Sequence, residues 1–561
     1  MIRLFYNIII ISMQITKKLP ADLRGIHFHF VGIKGTGMAA LVEIFYRNGA
    51  VITGSDVSER FYTDEILEKL NIKALPFSAD NITDDVQYVV YSSAYKLDVN
   101  PDLIEAVKRN IPCFLYTEAL GAYSSSAYSC GICGVHGKTS TTGLTGTILK
   151  EIDDIPSQIL AGSVINSFGG TCTYTSPLVN EMISANKNVS SSDENVSLSG
   201  STRQSVFVAE TCEYQRHFMS FCPQKIILTS VESDHEDYYP TYESIRDAFV
   251  DYICKLPMFG ELIYCADDAG AVETALIAYN KRPDLHLVAY GVNAGGDYQI
   301  TYEKVENEKN SFGIKLFENS KGSDDDSNTD CSPQFYLNMP GHHEVVDAVA
   351  AIALVCQLLR YYGKHPYEYV EKIAQGLAKF NGGKRRSEIT DHFTSKSGND
   401  VIVIDDYGHH PTAVKTTLEG YRQFYKGRKL IVDFMSHTYS RTQALLKEFA
   451  SSTTAADIII LNKIYSSARE NAADFNITGR TLFEETQKYL ASVPDDEWNK
   501  EQNGRKKPEV FYYEEAVDAA DFVKAELEKP LSPEYSDGYL VVTMGAGDNW
   551  KLGKSLIELY K

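Results

Sequence analysis

The segment Gly131–Thr142, GICGVHGKTSTT, constrains this chain more than any other stretch of it. An apolar run over Ser129–Cys133 enters a glycine turn, and Lys138, Thr139 and Ser140 then open a helical pattern. Glycines let backbone N–H groups close on phosphate oxygens, and the positive end of the following helix dipole adds to the field there. In such a loop the lysine reaches the β- and γ-phosphates and the hydroxyl after it coordinates Mg²⁺. The spacing departs from G-x-x-x-x-G-K-T, because Gly131 sits one residue early. The strand–loop–helix order nonetheless points to phosphate binding by Gly134, Val135, His136, Gly137, Lys138, Thr139 and Ser140.

Such a loop belongs at the carboxyl ends of parallel strands, and the flanking sequence supplies them. Apolar runs at 204–210 and 225–235 finish in Glu210 and in Asp234-His235, where metal ligands belong. Upstream, 26–31 (IHFHFV) reads as a strand, 32–37 as a glycine turn, and Met38, Leu41, Val42 and Phe45 recur at helical spacing. Strands at 50–56, 86–93 and 111–116 continue the alternation, and others fall at 401–405, 429–433, 457–461 and 539–543. The fold class is α/β, in three units over 24–127, 128–381 and 382–561, with polar surface insertions near 184–205 and 318–333. The turn Gly32-Ile33-Lys34-Gly35-Thr36-Gly37 is G-x-x-G-x-G, the wrong spacing for a nicotinamide dinucleotide fingerprint, although Asp56 ends the next strand where a ribose-binding acid would sit.

A net charge of −21 argues against nucleic-acid binding, which needs clustered cations. Cys130 and Cys133 form a C-x-x-C pair without the second pair or histidines a zinc site needs, so they read as reduced strand residues in a cytoplasmic protein. The apolar run Leu4–Met13 is interrupted by Asn7 and Ser12 and is too short to span a bilayer, so residues 1–22 read as a dispensable extension without membrane insertion.

Read together, these motifs resemble the Mur ligases over nearly all of 25–561, and their alanine-adding branch in particular. HFVGIKGTGMAAL and TGSD (53–56) look like that family's UDP-binding turn, implying UDP-sugar contacts at Gly32, Gly35, Thr36, Gly37, Met38 and Asp56. GVHGKTSTT is similar to its ATP loop. VAETCEYQRHF (208–218) and LTSVESDHEDYY (228–239) match the segments that carry its magnesium ligands, here Glu210 and His235 beside Thr139. GGKRRSEI (382–389) resembles the hinge into the third domain and places Arg386 at the nucleotide phosphates. DDYGHHPTAV (405–414) and FMSHTYSRT (434–442) are the alanine-branch motifs; they place Asp406, His409, His410, His437 and Arg441 around the amino acid and sugar. One block departs: the family's P-G-x-H-N-x-x-N is here Pro340–Asp347, with Glu344 and Asp347 replacing two adenine-binding asparagines.

The resemblance implies ATP-dependent ligation of L-alanine to UDP-N-acetylmuramate in cell-wall synthesis, by a monomer or homodimer. Lys138, His235, Arg386, Asp406 and His409 are the expected catalytic set, with a histidine of 409–410 as proton acceptor. The alternatives are a relative that attaches a recycled peptide to the same sugar, a non-catalytic binder of UDP-sugar, and a nicotinamide oxidoreductase.

Overall fold

Alternating apolar strands and amphipathic helices produce parallel sheets sandwiched between helical layers. The computed structural model describes residues 18–20, 22–185, 204–235, 237–318, 334–466, 470–502 and 504–561. The run Leu4–Met13 and all but the edges of both polar insertions lie outside these residues. The chain divides into two compact units, unit one over 1–231, 246–296 and 350–379, and unit two over 232–245, 297–349 and 380–561.

In unit one, β1 (His27–Val31), β2 (Val51–Ser55), β3 (Tyr88–Tyr91) and β4 (Cys113–Leu115) pair in parallel in the order β2-β1-β3-β4. Met38, Leu41, Val42 and Phe45 are all buried on the helix Thr36–Arg47, as their spacing requires. A second sheet holds β5 (Tyr128–Cys133), β6 (Ser157–Ile165), β7 (Thr171–Thr175), β8 (Val206–Glu210), β9 (Lys225–Leu228), β10 (Glu261–Cys265) and β11 (His286–Gly291). These run in the order β11-β10-β9-β5-β8-β6-β7, with only β6–β7 antiparallel among the pairings described here. The two sheets pack together within this unit. The helix Thr36–Arg47 lies against β6 and β7, and Asn48 donates to the Tyr123 hydroxyl at 3.0 Å and to Gln158 Oε1 at 3.3 Å.

Both cysteines of the C-x-x-C pair are free and buried in β5, and burial pushes the Cys130 thiol up to about 12. Gly131 is a strand residue, not a loop residue: a Cβ there would lie 2.3 Å from the Tyr252 hydroxyl. That explains the misplaced glycine of the phosphate motif.

Unit two contains an antiparallel meander, β12 (Tyr298–Glu306), β13 (Lys309–Ile314) and β14 (Phe335–Leu337). It also contains β15 (Glu388–Thr394), β16 (Asp400–Asp406), β17 (Arg428–Phe434), β18 (Ile458–Leu461), β19 (Glu509–Tyr512) and β20 (Gly538–Met544), in the order β15-β16-β20-β17-β18-β19. All pairings of this six-stranded sheet are parallel except β15–β16. Alternate residues face opposite cores. Ile402, Ile404, Val432 and Val542 meet Val414 and Leu418 on one side, while Val401, Val403, Ile431 and Val541 meet Leu552 and Leu556 on the other. Among the described residues no helix is long and apolar enough to cross a membrane.

Candidate active site

In unit one the phosphate loop leaves β5 and ends at the helix Lys138–Ile152, with Gly134 and Gly137 at φ of +139° and +78°, which side chains disfavour. A Cβ on Gly134 would lie 2.0 Å from Thr229 Oγ1, so only glycine fits. The loop is braced by β9: His136 N–H donates to Ser230 Oγ at 2.9 Å and Val135 N–H to Ser230 O at 3.0 Å. Ser230 therefore holds the loop with both its side chain and its carbonyl. Lys138 Nζ donates to the Val135 carbonyl at 3.2 Å and lies 2.9 Å from Glu213 Oε2. Burial alone would lower this ammonium, but the Glu213, Cys212 and Glu210 side chains override it and hold Lys138 above its ordinary value. Thr139 Oγ1 donates to Glu210 Oε2 at 2.9 Å, so the two expected magnesium ligands of this unit are neighbours. Hydroxyl and carboxylate oxygens are the hard donors magnesium selects.

The glycine turn of unit one opens a cleft of about 230 Å³ lined by Gly35, Thr36, Gly37, Met38, Ser92, Ser93, Leu115, Tyr116, Thr117 and His217. Gly32 is at φ +83°, facing Tyr95. Asp56 braces the turn from the end of the next strand. It is 7% exposed, and its carboxylate accepts Lys34 N–H at 2.7 Å, Val57 N–H at 2.8 Å and the Tyr95 hydroxyl at 3.0 Å. It fixes the turn.

Unit two gathers the rest at the carboxyl ends of its parallel strands. Arg441 Nη2 and Nε donate to Asp234 Oδ1 at 2.6 and 3.1 Å, with both side chains buried. Burial would raise Asp234, but the Arg441 guanidinium, aided by His235 and His409, holds its carboxyl far below the usual range. His235 Nε2 lies 3.7 Å from Asp234 Oδ2, on a residue at φ +57°. Arg441 Nη1 is buried and has no hydrogen-bond partner among the described residues. A buried donor left unmade costs about 1–3 kcal/mol, which a ligand acceptor would recover. His409 Nδ1 faces the Tyr407 carbonyl at 2.9 Å; as donor there, it leaves Nε2 as the ring's proton acceptor. Burial and the nearby Arg441 keep His409 well below its ordinary value and therefore neutral. His437 packs edge-on to His409, with ring centroids 5.9 Å apart, and His410 Nδ1 lies 3.5 Å from Glu232 Oε1.

Asp406 is a brace. Its oxygens accept Ser387 N–H at 2.8 Å and Gly408 N–H at 2.7 Å, and burial raises its carboxyl despite these bonds. The hinge divides its two arginines. Arg385 is spent on Asp405 (2.8 Å) and the Gly545 carbonyl (2.7 Å), whereas Arg386 lies 5.4 Å from the Tyr407 ring and forms no ion pair among the described residues. Glu344 and Asp347 are buried in the first turns of the helix His342–Tyr361. The loop before it closes on the helix Pro411–Phe424, where a Cβ on Gly420 would lie 2.7 Å from Gly341 Cα. Sequence reasoning missed Glu213, His217, the Asp234–Arg441 pair and the Arg385 brace. Glu213, one turn of chain past Glu210, was the one with a local signal.

A phosphate loop with adjacent oxygen ligands, a glycine-turn cleft and a third α/β sheet define a nucleotide-dependent ligase of three successive domains. Residues 27–128 match the Mur ligase family, catalytic domain; 132–355 match the Mur ligase middle domain; and 385–547 match the Mur ligase, glutamate ligase domain. The chain belongs to the Mur ligase family. It is 42% identical over 545 residues to the UDP-N-acetylmuramate–L-alanine ligase of Treponema pallidum, covering 97% of this chain and 98% of that one. It is 32% identical to the enzyme of that name from Borreliella burgdorferi, covering 95% and 98%. In fold it is similar to the crystal structure of the UDP-N-acetylmuramate-alanine ligase of Thermotoga maritima (TM-score 0.66, 21% identity, covering 95% and 99%). It is also similar to a murein peptide ligase of Psychrobacter arcticus (TM-score 0.57, 19% identity, covering 95% and 98%).

Proposed function

We propose that this chain joins L-alanine to the muramic acid carboxylate of UDP-N-acetylmuramate at the expense of ATP, in peptidoglycan synthesis. The observation that carries this reading is the 42% identity to an alanine-adding ligase over nearly the full length of both chains. The fold alone does not separate this from peptide ligation, since both kinds of enzyme share it. The sequence relatives favour alanine.

A carboxylate is a poor acyl donor, so a phosphoryl group is first transferred to it, and the amine then displaces phosphate from the acyl phosphate. Magnesium held by Thr139 and Glu210 would neutralise charge on the phosphates, and His235 of unit two would serve as a magnesium ligand there. Lys138 and the loop N–H groups orient the triphosphate, and Arg386 of unit two is the further cation that the hinge motif offers to a phosphate. Arg441 Nη1 offers its unmade hydrogen bond to a substrate carboxylate, while Asp234 fixes the guanidinium. His409 Nε2 takes the proton that the alanine ammonium must lose before attack. The UDP-sugar is held in the glycine-turn cleft through Gly32, Gly35, Thr36, Gly37 and Met38, with Asp56 steadying the turn. These substrates place the enzyme in the cytoplasm. Phosphate release should require ATP, UDP-N-acetylmuramate and L-alanine together. Faster release with a preformed peptide than with L-alanine would move the assignment to the recycling ligase.

A further inference from the structure

The stretch that follows β8 does two jobs within unit one. Its first residues serve the phosphate loop, Glu210 through Thr139 and Glu213 through Lys138. Its next residues turn sharply away: Gln215 and Arg216 take φ of +50° and +58°, two consecutive left-handed residues without a glycine. Such backbone is costly and gathers where function demands it. Here the turn is over-determined. Arg216 N–H donates to Glu213 O at 2.8 Å and Phe218 N–H to Cys212 O at 2.9 Å. The Arg216 guanidinium pairs with Asp251 at 2.7 Å, and the buried Phe218 ring stacks on Tyr252 at 4.5 Å. The helix Tyr116–Ser124 closes on the far end, where a Cβ on Gly121 would lie 2.1 Å from Ser220 O.

Between Arg216 and Phe218, both pinned, stands His217, and it lines the glycine-turn cleft opposite Gly35–Met38 and Tyr116–Thr117. The first residues of two helices, Thr36–Arg47 and Tyr116–Ser124, line that cleft, together with Ser92 and Ser93. That lining suits an anion. Resting on the UDP-sugar reading of this cleft, we infer that His217 is a substrate-binding residue that contacts the diphosphate of the UDP-sugar, carried there by the segment that also serves ATP. One short turn then presents acids to the phosphate loop and an imidazole to the other substrate.

The test is calorimetry and steady-state kinetics on the full chain, comparing wild type with His217→Ala and His217→Gln. His217→Ala should weaken UDP and UDP-N-acetylmuramate alike by about tenfold, the worth of one hydrogen bond to a charged group. Uridine, which carries no phosphate, should bind as before. The KM for UDP-N-acetylmuramate should rise while that for ATP stays within about twofold, and His217→Gln, keeping a donor, should recover most of the loss. Unchanged UDP affinity in His217→Ala, or an equal loss for uridine, overturns the assignment alone. A wild-type chain that binds neither UDP nor UDP-N-acetylmuramate overturns the reading of the cleft and the assignment with it.

Discussion

The phosphate loop of unit one and the histidine–arginine cluster of unit two do comparable electrostatic work from opposite kinds of sequence. The loop is nearly contiguous: Gly134 to Thr139 supply backbone N–H groups, cation and hydroxyl, and partners such as Glu210, Glu213, Thr229 and Ser230 come from the ends of β8 and β9 and the residues after them. The cluster is assembled from three stretches, 232–235, 405–410 and 437–441, and its strongest pair joins Asp234 to Arg441 across 207 positions. A local motif tolerates drift in its surroundings, whereas a cluster built by tertiary packing fails when either partner is lost.

Lys138→Ala should give the largest functional effect, a loss of about 10³-fold or more in ATP turnover, with calorimetric binding of UDP-N-acetylmuramate retained. Loss of both would erase the distinction between a self-contained loop and the cleft beside it. In unit two the effect should be on folding. Arg441→Ala leaves Asp234 buried without its cation and should cost about 3–5 kcal/mol in denaturant unfolding. Because the folded carboxyl is held far down, its contribution is present above the unfolded value near pH 4 and is lost as pH falls below it. The acid-side decline should therefore flatten in Arg441→Ala. An unchanged acid limb would show the pair to be dispensable.

A second group at the same strand ends gives the opposite sign. Asp433 in β17 is fully buried and accepts a hydrogen bond from Asn462 at 3.1 Å, and burial, outweighing the Asn462 and Asn549 amides, pushes its carboxyl up to about 8. The folded chain keeps a proton that the unfolded chain releases near pH 4, so stability falls as pH rises between those values, by up to about 1.4 kcal/mol per pH unit. Asp433→Asn should remove that slope, raising the melting temperature more at pH 8 than at pH 5. A parallel shift at both values would count against a neutral Asp433. The smallest effect should come from the adenine block. Glu344→Asn with Asp347→Asn restores paired donors and acceptors and should lower the KM for ATP by about tenfold, leaving that for L-alanine unchanged. No change would mean that these acids do not face the base.

Much of the fold was legible because its strands are apolar runs closed by glycine turns, and β1, β2, β5, β8, β16, β17 and β20 fall where those runs stand. The hairpin β12–β13 was not, because its half-exposed residues, such as Glu303 and Lys304, carry no continuous apolar signal. At the site, residue identity was readable but division of labour was not. Asp56 and Asp406 look like ligands in sequence, yet both hold backbone N–H groups. Arg385 and Arg386 are identical in type and adjacent, and only packing reveals that the first is bound to Asp405 while the second lies over the Tyr407 ring with no ion pair among the described residues.

The central claim is that the sugar carboxylate is activated by phosphoryl transfer before alanine attacks. With UDP-N-acetylmuramate carrying ¹⁸O in that carboxylate, turnover with ATP and L-alanine should place one ¹⁸O in the released inorganic phosphate, read by mass spectrometry. Phosphate free of ¹⁸O, or label appearing in AMP, would contradict the mechanism.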